Sequence, residues 1–323
     1  MEPGLQPTVE PHAQHDHPNA ISPRPFLKWA GGKRQLLPVL RRFYPQRFNV
    51  YHEPFLGSGA VLFDLINLGH LREQSVRLSD VNADLVGCYQ RLLDEPSIVI
   101  SHLQKLESGY RAAPLIHYYK VRDEMFNSQR AAIMTASRPN PDAYSAELAA
   151  MFIYLNKTGF NGLFRLNSKG KFNVPQGRYT NPRICDTANL LNVSAALNKL
   201  KATVKIRSFE ELLDFSNKND FVYLDPPYAP TSKTSNFTSY TSSGFSREDQ
   251  QHLQQVVINL ATKGCFVLLS NSTAPEVATL YDGNQEALRV GLKAYKFPAR
   301  RSINSNGKRR GQVLEYIITN IHA

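Results

Sequence analysis

The chain predicts an α/β fold: a mostly parallel sheet interrupted by a mostly helical insertion. Three observations carry this. Strand-like and helix-like segments alternate from Pro25 to about residue 94. The alternation stops between about 95 and 195, where the periodic stretches are helical. It resumes at residue 203 and continues to the end.

Residues 1–24 are rich in Pro, His, Gln and Asn, lack periodicity and read as a disordered tail. His12, His15 and His17 lie in it; a flexible tail gives them no fixed geometry, and no metal site is expected. "NVYHEP" (49–54) reads as a strand running into a turn, and "GAVLFDLINLG" (59–69) as a helix stopped by glycine. "SVRLSD" (75–80) is a strand ending on an acid, followed by the helix "NADLVGCYQRLL" (82–93), capped by Asn82. The insertion, 95–195, carries "PSIVISHLQKLES", "LIHYYKVRDEMFN" and "AYSAELAAMFIYLNK", then a basic Gly/Asn-rich segment, 158–183. After it, "TVKIRSF" (203–209), "DFVYLDPP" (220–227) and "GCFVLLSN" (264–271) read as strands, with a helix at 246–262. "EALRVGLKAYKF" (286–297) and "GQVLEYIITN" (311–320) read as an antiparallel pair around a basic loop. The expected division is a tail, 1–24; one domain from 25–94 and 196–323; and the inserted domain, 95–195.

Composition narrows the function. The apolar runs "LAAMFIYL" (148–155) and "FVLL" (266–269) are too short to span a bilayer, and the N-terminus has no basic-then-apolar signal pattern. Three scattered cysteines (Cys88, Cys185, Cys265) form no disulfide framework or metal-ligand spacing and fit a reducing, cytoplasmic setting. Lys and Arg number 38 against 27 Asp and Glu, a net charge of +11 that favours a polyanionic partner. The excess is patterned. From Leu148 to Cys185 and from Ala287 to Leu314 there is no acid, and cations alternate with aromatics and Gly/Asn turns. That mixture suits phosphate contacts and base stacking.

Four short elements carry the chemistry. "EPFLGSG" (53–59) closes the first strand and opens the first helix; Gly57 and Gly59 let a ligand approach the backbone, though a tight strand–helix turn would use the same residues. Asp80, roughly 20 residues further on, is placed to accept from ribose hydroxyls, or else only to cap the next helix. "FLKWAGGK" (26–33) sets the one tryptophan, Trp29, between Lys28 and Lys33, as in a nucleotide-facing loop. "YLDPPY" (223–228) ends a buried strand with two prolines that cannot continue a ladder. On that stiff corner Asp225 and the Pro226 carbonyl can accept the two hydrogens of an exocyclic amine, and Tyr228 offers a ring for a base. Such bonds rehybridise the amine nitrogen and aim its lone pair at an in-line methyl-sulfonium, so the gain is positional and electrostatic. No cysteine adjoins the corner, so covalent attack on a ring carbon is not indicated.

With these elements the chain resembles the Dam-like DNA adenine methyltransferases. The likeness runs from about Pro25 to Asn320 and includes "FLKWAGGK", "EPFLGSGA", "DVNADL", "NGLFRLNSKGKFNVPQGRY" (161–179), "DPPYAP" with "NFTSYTSSGFS", and "RRSINSNGKRRG" (300–311). It implies a Rossmann-like, S-adenosylmethionine-dependent methyltransferase sheet whose insertion is a target recognition domain. It implies methyl transfer to adenine N6 in double-stranded DNA, within GATC, by a monomer. The implied cofactor set is Trp29, Lys33, Phe55, Gly57, Ser58, Gly59, Asp80 and Asp225. The implied catalytic corner is Asp225, Pro226, Pro227 and Tyr228. Lys28 and Arg165 correspond to base-reading residues, as suits donors to guanine O6 and N7. Phe160, Asn161 and Leu163 fall beside the DNA stack, where wedges fill the space of a flipped base. Arg309 and Arg310 are expected on phosphates. Ser208 departs from the pattern, standing where relatives often carry an acid. A different reading, amino-methyl transfer to RNA bases or a protein amide, would use a similar corner.

Overall fold

The computed structural model describes residues 22–29, 31–134, 143–228, 245–300 and 312–322. The histidines of the tail, the segment after Tyr228, and Arg309 and Arg310 lie outside them.

Seven strands form one sheet in the order β3-β2-β1-β4-β5-β7-β6. They are β1 (Val50–Glu53), β2 (Ser75–Asp80), β3 (Thr203–Ile206), β4 (Phe221–Leu224), β5 (Phe266–Ser272), β6 (Lys293–Arg300) and β7 (Gln312–Thr319). β1 to β5 run parallel; β7 lies antiparallel between β5 and β6. The alternation of strands and helices anticipates this α/β sheet. One expected strand is shorter: Gln285–Arg289 is a helix, capped by the Asn284 side chain on the N–H groups of Glu286 and Ala287. A local cap outcompetes the ladder there, and β6 begins at Lys293.

β4 is the middle strand and is buried on both faces, as parallel sheets between helical layers are. Period-two alternation sends Phe221 and Tyr223 into one apolar cluster and Val222 and Leu224 into the other. The first cluster also takes in Leu148 to Leu155 of the helix Ala146–Thr158, so the insertion shares the core of the sheet. Arg130 locks the two together. Its Nε donates to both carboxylate oxygens of Asp84, at 3.0 and 2.8 Å, at the start of the helix Ala83–Asp94. The helix Thr187–Lys199 runs through residue 195 without a break.

Chain order reverses between β1 and β4, which makes their carboxyl ends the switch point of the sheet. The two motifs richest in chemistry, Glu53–Gly59 and Asp225–Tyr228, leave the sheet at those ends.

Candidate active site

β1 hands the chain to a turn in which Gly57 and Gly59 both have left-handed φ, +48° and +66°. A Cβ on Gly57 would stand 2.8 Å from Trp29 Cδ1, so the bare glycine lets the 26–33 loop lie against the turn. Gly57 N donates to Asp80 Oδ2 at 3.2 Å, and Asn82 N donates to Oδ1 at 2.9 Å. Burial pushes the Asp80 carboxyl up to about 6, against the pull of these backbone donors. The helix that follows is capped by Asn82, as expected, through the N–H groups of Asp84 and Leu85. Asp80 is therefore not that cap.

Trp29 is half-buried, its ring lying 6.4 Å from those of Phe152 and Phe164. Phe55 stacks on Phe209 at 5.5 Å, beside Phe245 at 6.0 Å. Ser208 caps the short turn that carries Phe209 through a reciprocal pair with Glu211. Ser58, Trp29 and Gly32 share a cavity of about 410 Å³ with Lys28, Lys157 and Arg183. Burial and the neighbouring Lys28 push the Lys157 ammonium down to about 8.

Asp225 follows β4 directly. Lys33, 4% exposed, comes within 2.6 Å of its Oδ1 and lies 4.7 Å from the centre of the Tyr228 ring. Burial raises the Asp225 carboxyl above the ordinary range, opposed by Lys33 and by Ser270, whose hydroxyl donates to Oδ1 at 3.0 Å. Tyr228 donates to Glu315 Oε2 of β7 at 2.6 Å. Pro226 is buried, and the Pro227 carbonyl accepts from Gln250 at 3.4 Å. Beneath the corner Glu53 accepts from the Tyr51 hydroxyl at 2.9 Å. Burial, with the charge of Asp225 adding to it, pushes Glu53 up to about 8.

The basic segment 158–183 is latched to the same loop by a residue that sequence reasoning passed over. Asn156 accepts from Lys28 N at 2.7 Å and donates to the carbonyls of Lys28 at 2.7 Å and Gly162 at 3.0 Å. The latch sets Lys28 beside the turn Phe160–Gly162, where Phe160 is 46% exposed and Asn161 takes φ 54°. Leu163 is half-buried. Arg165 is held by Asn173, Nε to Oδ1 2.8 Å, on a hairpin whose Leu166 bridges Phe172. Lys28 Nζ lies over the Tyr179 ring at 3.8 Å and donates to the Lys157 carbonyl. Glu53, Ser270 and Glu315 were also missed. Ser270 did leave a signal, being a polar residue at the end of the apolar run "FVLLS".

The sheet and its switch point define an α/β protein with a carboxylate corner after β4 and a glycine turn after β1. Residues 29–294 match the D12 class N6 adenine-specific DNA methyltransferases, and the chain belongs to that family. It is 37% identical to a Type II methyltransferase of Lactococcus lactis subsp. cremoris, over 94% of this chain and 97% of the relative. It is 39% identical to a Type II methyltransferase of Methanocaldococcus jannaschii, over 92% and 99%. It is 32% identical to the DNA adenine methylase of Escherichia coli (strain K12), over 91% and 94%. Among the described residues no helix is long and apolar enough to cross a membrane.

Proposed function

We propose that this adenine-specific DNA methyltransferase uses S-adenosylmethionine to methylate N6 of a flipped-out adenine in double-stranded GATC, and that Asp225 holds the amine. The observation that carries the reading is the corner itself. A carboxylate on a rigid Pro-Pro turn follows β4, and a glycine turn with left-handed φ follows β1, the two strands that flank the switch point.

The residues present fit the methyl donor. The Gly57–Gly59 turn presents side-chain-free backbone in left-handed φ, Asp80 offers an acceptor beside it, and Phe55, Phe209 and Trp29 offer apolar faces. When bound, the donor supplies an electrophilic methyl on a sulfonium centre. Asp225 and the Pro226 carbonyl accept the amine hydrogens, and Tyr228, steadied by Glu315, stacks on the purine. Lys28 and Arg165 read base edges, and Phe160, Asn161 and Leu163 occupy the space left by the flipped base. Arg309 and Arg310 contact phosphates. We assign 25–94 and 200–323 to catalysis and 95–199 to target recognition, the boundary falling at the end of the unbroken helix Thr187–Lys199 rather than at residue 195, in a protein acting in the cytoplasm.

The test uses labelled S-adenosylmethionine and two duplexes, one with a single GATC and one with the same bases scrambled, digested to nucleosides. Label in N6-methyladenine from the GATC duplex alone is expected. Label from both duplexes discards the target sequence and keeps the chemistry.

A further inference from the structure

Among the described residues, Asp225 is served at one carboxylate oxygen. Lys33 Nζ, at 2.6 Å, and Ser270 Oγ, at 3.0 Å, both reach Oδ1. Among the described residues no donor to Oδ2 is found. Ser270 is in turn 3.0 Å from the Tyr223 hydroxyl. An ionised carboxylate only accepts, and a serine hydroxyl has one hydrogen. If Ser270 gives that hydrogen to Asp225, it can only accept from Tyr223. The chain therefore has one direction: Tyr223 O–H to Ser270 O–H to Asp225 Oδ1.

We infer that Tyr223 and Ser270 are positioning residues for the transfer: with Lys33 they saturate Oδ1 of Asp225 and leave Oδ2 as the acceptor for the adenine amine. The inference rests on the reading of Asp225 as the amine-holding group.

The sheet builds this arrangement. β4 and β5 are in register, Tyr223 beside Leu268 and Leu224 beside Leu269, so the next pair along is Asp225 and Ser270. Tyr223 and Asp225, two apart, fall on one face of β4. Tyr223 and Ser270 are completely enclosed. Two buried hydroxyls at this point of the strand pair cost desolvation that an apolar pair would not. Among the described residues they are satisfied by one another and by Asp225. The saturated oxygen also fixes the carboxylate plane, which a single contact would leave free to rotate about χ2.

The groups facing Asp225 are Lys33 from the preceding loop, Glu53 from β1, Tyr223 from β4, Ser270 from β5, and Tyr228 with its partner Glu315. Lys33 and Ser270 favour the carboxylate over the acid. Loss of the Ser270 hydroxyl removes one of them, so Asp225 protonates at higher pH. The form that accepts the amine is the carboxylate, and the acidic limb of the rate profile moves up.

The experiment measures single-turnover methylation and both KM values across pH for the full chain and for Ser270→Ala, Tyr223→Phe and Asp225→Asn. Ser270→Ala is expected to lower the rate about tenfold or more, as for a hydrogen bond to a charged group. Both KM values should stay within about twofold, and the acidic limb should shift upward. Tyr223→Phe, which keeps the ring, should act in the same direction with a smaller loss. Asp225→Asn should be inactive: Lys33 and Ser270 will draw the amide oxygen to themselves and turn the NH₂ toward the substrate amine. An active Asp225→Asn overturns the underlying assignment of Asp225. An inactive Asp225→Asn beside an unchanged Ser270→Ala overturns the positioning inference alone. Rate losses that follow melting temperature, with no movement of the limb, also overturn it and make the pair structural.

Discussion

The Lys33 ammonium and the Asp225 carboxylate form an ion pair at 2.6 Å, so the loop that carries Trp29 also sets the charge of the corner after β4. Lys33→Met leaves that carboxylate buried without its cation, and breaking such a pair is costly. Asp225 then protonates at higher pH. Methylation at neutral pH should fall by about 10²-fold and recover in part as pH rises. A pH–rate profile checks this; an unmoved acidic limb would remove Lys33 from the site.

Gly57→Ala should weaken the methyl donor more than it weakens DNA. At φ +48° a side chain costs about 1–2 kcal/mol, and its Cβ would press on Trp29 Cδ1. The expected change is roughly tenfold in Kd for S-adenosylmethionine, read by calorimetry. An unaltered Kd would place the donor away from this turn.

Asp80 predicts a pH dependence of donor binding. Its carboxyl sits at about 6, and hydroxyl donors prefer the ionised form. Affinity should be full above about pH 6 and decline as pH drops through it. Asp80→Asn should bind weakly and without that dependence. A wild-type curve flat from pH 5 to 8 would contradict the assignment.

Arg130→Met tests how the insertion is joined to the sheet. Asp84 is nearly inaccessible, and Arg130 is its buried cation. Removing one partner should cost about 3–5 kcal/mol in urea unfolding. The double variant with Asp84→Leu should recover part of that loss. A loss below about 1 kcal/mol would mark the pair as solvated.

Arg165→Ala should relax discrimination at one base pair by about 1–3 kcal/mol, and Asn173→Ala should do so more weakly by freeing the guanidinium that Asn173 orients. Competition between cognate and singly changed duplexes measures it. Equal weakening on every duplex would make Arg165 a phosphate contact.

Much of this was legible in the chain, because its signals are local. The strand at 75–80 and the cap at Asn82 follow from period and side-chain type. The stiffness of "DPPY" follows from two missing N–H groups. Short-range competition defeated the reading at 285–289, where an Asn cap favours a helical turn over the strand that the apolar pattern suggested. What sequence could not supply is lateral. Strand order, the register that sets Ser270 beside Asp225, the reach of Lys33 across 192 positions to Asp225 (225 − 33), and the Asn156 latch between Lys28 and Gly162 all join residues far apart in the chain. By itself the sequence determined which groups could do the chemistry, since donor and acceptor capacity belong to residue type. Only the tertiary structure decided which oxygen of Asp225 is engaged by Lys33 and Ser270, because that depends on which neighbours the packed sheet brings to it.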